Sequence, residues 1–155
     1  MALKRTGFKK KPVTLVWKKK TLKRANKPKL RPVKARLWEL CKQITRLKYG
    51  NVCYTCGKTG LEGGGWQTGH FIASSVGGAS LRYNLDNLRP QCYYCNINLG
   101  GNGSYFYKNL VEREGQEYVD NLFKIKQQTI KVDIWWFQEK IKEYENLLRM
   151  QQSLQ

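Results

Sequence analysis

Two Cys-x-x-Cys pairs constrain this chain more than any other feature of its sequence. The first pair is Cys53 and Cys56, the second is Cys92 and Cys95, and 35 residues separate them. In a chain without an evident secretory signal, two such pairs favour one tetrahedral Cys₄ zinc site over disulfides. A redox Cys-x-x-Cys needs only one pair, and neither pair follows the strand of a thioredoxin-like unit. We therefore predict that these four thiolates bind a structural zinc ion, which stabilises a domain with a limited core.

The fifth cysteine has a different environment. Cys41 lies on an apolar helical stripe with Leu37, Leu40, Ile44 and Leu47, so we predict that it belongs to the core. Four thiolates also close the coordination shell of zinc and leave no position for water. Any chemistry must therefore come from a second site.

The positive charge of the chain is concentrated at its beginning. The 155 residues include 29 Lys and Arg against 11 Asp and Glu, a net charge of +18. Residues 1–36 hold 15 of these cations and no acid, whereas residues 37–155 hold 14 cations against all 11 acids. We predict that residues 1–32 form a disordered basic tail that binds nucleic acid; a solvated tail that only confers solubility is the alternative. The lysines expected to contact nucleic acid are Lys9, Lys10, Lys11, Lys18, Lys19 and Lys20.

Residues 33–151 read as one α+β domain. The apolar stripe predicts a helix over 33–48 that stops near Gly50. Two further helical faces follow Ser104, with a break at Gly115, and Asp133 is expected to cap a last helix that runs to about Met150. Between the cysteine pairs we expect a strand over 69–76 and a return segment over 81–90. Trp135 and Trp136 are adjacent, so at most one of them lies fully in the apolar stripe of this last helix, and both are expected in core or helix–helix contacts.

The segment between the two cysteine pairs contains the only histidine, His70. A lone histidine is usually structural, but a neutral imidazole can also take a proton from water near pH 7. Phosphodiester hydrolysis requires such a base, together with a hard cation that oxygen ligands hold. Asn96 follows the second cysteine pair directly, and its amide oxygen suits that cation.

The order Cys-x-x-Cys, Gly-His, Asn, Cys-x-x-Cys-Asn resembles the HNH, or ββα-metal, nucleases. With "WQTGHF", "LRYN", "QCYYCN" and "GQEYVDNL" it is more narrowly similar to the phage NinG/Rap recombination nucleases, from about Val52 to Leu122. The resemblance implies a ββα-metal core with a Cys₄ zinc knuckle. It also implies that His70 is the general base, that Asn87 braces the loop and orients the histidine, and that Asn96 binds Mg²⁺ or Mn²⁺.

One position departs from the HNH pattern. Many of these enzymes have an aspartate directly before the catalytic histidine, whereas this chain has Gly69. We therefore predict a weak, largely hydrated Mg²⁺ site centred on Asn96. The second ligand stays open between Gln67, Asp86 and none. Arg82 and Arg89 are either phosphate contacts or solvated surface charges.

Two functions are compatible with these features. The first is a metal-dependent DNA endonuclease that cuts branched or Holliday-junction-like DNA during phage recombination, in the cytoplasm of the bacterial host. Its partners would be DNA, other recombination proteins, and a second copy of the chain bound through the 133–150 helix. The alternative is a non-catalytic zinc protein that binds nucleic acid, and an HNH fold that has lost its activity is a third possibility. No apolar stretch is long enough to cross a membrane.

Overall fold

The computed structural model describes residues 29–128 and 130–153. The main elements, in chain order, are helix α1 (Leu30–Tyr49), strand β1 (Trp66–His70), helix α2 (Ser74–Arg82), strand β2 (Leu88–Cys92), and helices α3 (Gly103–Glu114), α4 (Gln116–Gln127) and α5 (Ile134–Gln152). Short 3₁₀ turns cover Gly63–Gly65 and Leu85–Asn87, and a π-helical turn covers Tyr94–Asn98. The described residues thus form a mixed fold, largely helical with one small sheet.

Helix α1 buries the stripe that its sequence predicts. Leu37, Leu40, Cys41 and Ile44 pack against α5, chiefly around Phe137 and Tyr144. The helix stops as expected at Gly50, whose N–H donates to Arg46 O at 2.8 Å and whose positive φ of 68° turns the chain away from the helix. It begins at Leu30, three residues before the domain boundary expected at 33.

Cys41 is a core residue, as predicted. Its side chain is fully buried, and its thiol donates to the carbonyl of Tyr83 at 3.7 Å. Burial raises the pKa of Cys41 to about 12, so this thiol stays protonated and is a poor metal ligand. The apolar stripe of the helix is therefore enough to distinguish Cys41 from the four cysteines of the predicted metal site.

Strands β1 and β2 form a two-stranded antiparallel sheet, in which Trp66 pairs with Cys92 and His70 with Leu88. The strand expected over 69–76 is wrong beyond His70, because residues 74–82 form α2 with a kink at Gly78. Leu81 on this helix is fully buried against Phe106 and neighbouring apolar residues. That burial outweighs the weak helix propensity of the "VGGAS" segment.

Helices α3 and α4 pack on each other, with α2 against α4, and their core is separate from the one that α1 and α5 share. Helix α5 has the expected cap, since the Asp133 carboxylate accepts from Trp136 N–H at 3.0 Å. Trp136 packs beside Tyr83, but Trp135 is 71% exposed, so the expectation of a core contact for Trp135 is wrong. Within the described residues, no helix is both long and apolar enough to cross a bilayer.

Candidate metal centre and adjacent histidine site

The four paired cysteines come together at one end of the sheet. Their Sγ atoms all lie within 4.8 Å of one another, and Cys56 Sγ and Cys92 Sγ are 3.8 Å apart. A tetrahedron with Zn–S bonds of about 2.3 Å has sulfur–sulfur edges of roughly 3.8 Å, so the cluster fits such an ion. Leu61 and Trp66 pack with Cys53, Cys92 and Cys95, whereas Cys56 is exposed. The predicted convergence of the cysteines is confirmed, and the cluster can bind a metal such as zinc.

The protonation of these thiols also fits a cation site. Burial raises the pKa of Cys53, but hydrogen bonds from the Thr55 hydroxyl and nearby backbone amides outweigh it and lower the pKa to about 6. Burial, reinforced by the neighbouring thiols of Cys53 and Cys95, raises the pKa of Cys56 to about 12. Without a cation, the site therefore favours one thiolate and disfavours a second. A bound divalent cation would reverse this preference by stabilising the thiolates.

His70 ends strand β1 and is half-buried. Its Nε2 lies 3.0 Å from the carbonyl oxygen of Arg82, the last residue of α2. Because a carbonyl oxygen only accepts, Nε2 must carry the proton of the neutral ring, which leaves the lone pair on Nδ1. The ring is also stacked on the indole of Trp38, with centroids 5.2 Å apart and an interplanar angle of 6°.

The electrostatics keep this imidazole neutral. Burial lowers the pKa of His70, and the charge of Arg82 lowers it further, while the hydrogen bond to the Arg82 carbonyl opposes both. The net pKa lies below the ordinary histidine value of about 6.5. At pH 7 the ring can therefore accept a proton, and the free lone pair identifies Nδ1 as the basic atom.

Asn87 makes hydrogen bonds to the backbone of the segment that connects β1 and β2. Its Oδ1 accepts from Ile72 N–H at 2.8 Å, and its Nδ2 donates to the carbonyls of Ile72 and Leu81 at 2.9 and 3.0 Å. Its own carbonyl accepts from Phe71 N–H at 2.9 Å. The fully buried side chain thus holds the segment after His70 against the end of α2. These contacts brace the connection between β1 and β2.

Steric exclusion explains why a glycine stands directly before His70. A Cβ on Gly69 would lie 1.9 Å from Oε1 of Gln91, which is fully buried on β2. The Gln91 amide donates to the carbonyl of Gly101 at 2.7 Å and to Thr55 Oγ1 at 3.3 Å, so this side chain is held in place. An aspartate at position 69 is therefore incompatible with this packing.

The two open second-ligand candidates, Gln67 and Asp86, have different surroundings. Gln67 is three residues from His70 on β1, so the two side chains point to opposite faces of the sheet, and the Gln67 amide donates to Gly64 O at 2.7 Å. Asp86 lines a different cavity, together with Tyr144 and Glu143. The choice of second ligand among Gln67, Asp86 and none stays a prediction.

Asn96 is half-buried in the π-helical turn, next to Cys95. The carbonyl of Cys95 accepts from Gly101 N–H at 2.9 Å, and the Cβ direction of Gly101 meets the His70 carbonyl at 3.9 Å. The turn that carries Asn96 therefore packs beside the end of β1. Its position depends on the cysteine cluster, because Cys92 and Cys95 flank its start.

A family model described as bacteriophage lambda NinG protein matches residues 4–153, nearly the whole chain. The chain belongs to the NinG family. Protein ninG of Escherichia phage lambda is 34% identical to it over 70 residues, which are 45% of this chain and 33% of that protein. Protein ninG of Escherichia phage 933W is 33% identical over 70 residues, with the same coverage. The match thus spans about a third of the length of these relatives. No solved structure matches this chain.

The resemblance to NinG proteins inferred from the cysteine and histidine motifs is thus confirmed, and the matched region extends well beyond residues 52–122. The names of these relatives do not specify an activity. The assignment of this NinG chain to the HNH nucleases, and the roles of His70, Asn87 and Asn96, stay predictions.

One predicted nucleic-acid contact of the NinG chain needs correction. Arg89 is fully buried, donates to Glu114 Oε1 and Tyr118 Oη at 2.9 Å each, and lies 4.5 Å from the ring centroid of Tyr49. Its guanidinium is occupied inside the domain, because β2 places it between α1 and α4, and it does not reach a phosphate at the surface. Arg82 is exposed at the end of α2. Lys9, Lys10, Lys11, Lys18, Lys19 and Lys20 lie outside the described residues.

Two features of this NinG-family site were not identified from the sequence. Trp38 belongs to α1, 32 residues before the histidine it stacks on, and it lies beside the apolar stripe of that helix. Gln91 looked like an ordinary strand residue. The adjacent Gly69 was the available signal for Gln91, because a glycine inside a strand often marks a close approach by another group. Tyr93 and Tyr94, which lie between the last two cysteines, are 53% and 59% exposed.

Proposed function

We propose that this NinG-family chain is a metal-dependent DNA endonuclease whose site corresponds to the ββα-metal arrangement. The observation that carries the proposal is the state of His70: a neutral imidazole, fixed by Trp38 and the Arg82 carbonyl, with its lone pair on Nδ1. Two antiparallel strands precede the helical turn that bears Asn96, as a ββα-metal core requires.

In the proposed reaction, His70 Nδ1 removes a proton from a water molecule as the water oxygen attacks the phosphorus. The new P–O bond replaces the bond to the 3′-oxygen, which leaves with the electron pair and takes up a proton. The hydrogen bond from Nε2–H to the Arg82 carbonyl keeps the ring oriented and stabilises the imidazolium that forms.

Asn96 is the residue that would hold the divalent ion. A hydrated Mg²⁺ or Mn²⁺ bound there would neutralise phosphate charge and stabilise the leaving oxygen. The cysteine cluster would bind zinc in a purely structural role, since four thiolates leave no open position.

The choice of branched DNA as the substrate rests on the resemblance to recombination nucleases. A four-way junction has two-fold symmetry, which suits a dimeric enzyme. Helix α5 uses its apolar face against α1 and leaves Trp135 and Met150 exposed, so these side chains are the proposed contacts of a second copy. The proposed partners of the chain are recombination proteins of the phage, and its proposed location is the cytoplasm of the bacterial host.

The test is cleavage of labelled four-way junction, flap, linear duplex and single-stranded DNA by zinc-loaded protein, with and without added Mg²⁺ or Mn²⁺. We expect metal-dependent cutting of branched DNA that His70→Ala abolishes, with its zinc content unchanged. If wild type binds these DNAs but cuts none, the non-catalytic zinc protein replaces the nuclease. Cutting that persists in His70→Ala would remove the histidine as the base.

A further inference from the structure

A groove lies beside His70, and the reaction described above leaves its charged side chains without a role. It encloses about 460 Å³ between α1, α2 and the first turn of α5. Lys34 and Trp38 line one wall, and Ser74 and Arg82 line the other. Two contacts join the groove to the site: Trp38 stacks on the imidazole, and the backbone carbonyl of Arg82 accepts its Nε2–H.

The groove is positively charged. Its two ionic side chains, Lys34 and Arg82, are both cationic, and no acidic residue lines it. Neither takes part in any salt bridge among the described residues. Aromatic faces hold both cations at the groove: Lys34 Nζ is 5.5 Å from the ring centroid of Phe137, and Arg82 Cζ is 5.8 Å from those of Trp38 and Tyr83.

A cavity of nearly the same size lies on the other side of Tyr83 and provides a comparison. Its volume is about 450 Å³, but Asp86 and Glu143 line it, and its one cation, Lys140, is paired with Glu143 at 2.7 Å. Volume therefore does not distinguish the two cavities, whereas charge does. An anionic ligand suits the groove at Lys34 and Arg82 and is repelled by the other cavity.

The groove lies next to the start of α1, and the basic segment before this helix favours a polymeric anion as the ligand. Lys34 lies near the start of α1, which begins at Leu30. Residues 1–28, which lead into this helix, carry 11 Lys and Arg and no acid. The groove is thus bordered by the helix end that directly follows the most basic segment of the sequence, and by the histidine proposed to act on a phosphodiester.

We propose that this groove binds the phosphodiester backbone of a DNA strand that flanks the bond at His70, with Lys34 and Arg82 contacting separate phosphates. The ligand class rests on the proposed function. The groove fixes the path of the strand past Trp38, and Arg82 couples the two sites because its side chain contacts phosphate while its carbonyl orients the base.

The experiment measures binding of a labelled DNA duplex and four-way junction to full-length, zinc-loaded protein, without added divalent cations, across salt concentrations from about 50 to 300 mM. The variants are Lys34→Gln and Arg82→Gln, with Lys140→Gln in the neighbouring cavity as the control of equal charge change. Loss of one phosphate contact lowers the slope of log K against log salt by about 1 and weakens binding roughly 5- to 10-fold near 0.1 M salt. We expect this for both groove variants and not for the control.

The outcomes separate this proposal from the nuclease proposal. If both groove variants bind like Lys140→Gln while wild type still cuts DNA, the groove proposal is overturned and the nuclease stands. If they lose affinity selectively but wild type cuts no DNA, the groove stands and the nuclease falls. Absence of any DNA binding by wild type overturns both. Unchanged melting temperature and zinc content exclude misfolding, and Lys34→Arg should retain the wild-type salt slope.

Discussion

The indole of Trp38 lies parallel to the imidazole of His70 at 5.2 Å between ring centroids. The contact joins the first helix of the domain to the end of its first strand. It covers one face of the ring, while the Arg82 carbonyl fixes Nε2. Together they hold the imidazole in one orientation and shield it from water, which lowers its pKa.

Removing the indole should raise the pKa of His70. Burial is the largest cause of its lowered pKa, so Trp38→Ala should move the value up towards the ordinary 6.5. Trp38→Phe, which keeps an aromatic face, should move it less. Because His70 is the only histidine, an NMR titration of the imidazole resonances gives this pKa directly. An identical pKa in Trp38→Ala would show that the stack does not bury the ring.

Gly69→Ala should destabilise the domain through Gln91. The added Cβ would lie 1.9 Å from a buried amide oxygen, and overpacking of this kind costs about 1–3 kcal/mol. Gln91→Ala, although destabilising alone, should remove most of this cost. Urea unfolding of the two single variants and the double variant measures the coupling. Additive effects would mean that β1 shifts to accommodate the side chain.

Arg89→Met should destabilise the fold far more than Arg82→Gln does. The buried Arg89 neutralises Glu114 and donates to Tyr118, and removing one partner of a buried pair costs about 3–5 kcal/mol. Arg82 is exposed and makes no salt bridge among the described residues, so its substitution should change stability by less than about 0.5 kcal/mol. Urea unfolding compares the two variants. Equal stabilities would contradict the structural role assigned to Arg89.

The metal content should depend on the cluster and not on Cys41. We expect about one zinc per chain by elemental analysis, lost in Cys92→Ser and retained in Cys41→Ala. Chelation should lower the melting temperature, because metal binding to such a cluster is coupled to folding. Zinc retained at full stoichiometry in Cys92→Ser would place the ion elsewhere.

Asn96→Ala should weaken binding of the divalent ion without releasing zinc. Calorimetric titration of the zinc-loaded protein with Mn²⁺ should give weak binding for wild type and weaker binding for the variant, since one oxygen ligand is lost. Asn98→Ala, in the same turn, is the matched control. Equal Mn²⁺ affinities for Asn96→Ala and wild type would remove Asn96 as the ligand.

Features set by short-range spacing could be predicted from the sequence. The Cys-x-x-Cys pairs, the burial of Cys41 and the Asp133 cap each depend on residues within one turn or one helix, where the backbone period fixes which side chains meet. Membership of the NinG family follows from the same motifs and their order.

Apart from the cysteine cluster, whose convergence follows from metal-ligand chemistry, contacts between distant segments were decided by the tertiary structure alone. Trp38 meets His70 and Arg89 is enclosed by aromatic rings because helices pack around the sheet in one particular arrangement. The first strand ends at His70, since Asn87 satisfies the backbone of Ile72 in place of a strand partner. No local period encodes these pairings, because each depends on how separately formed elements bury their apolar faces against one another.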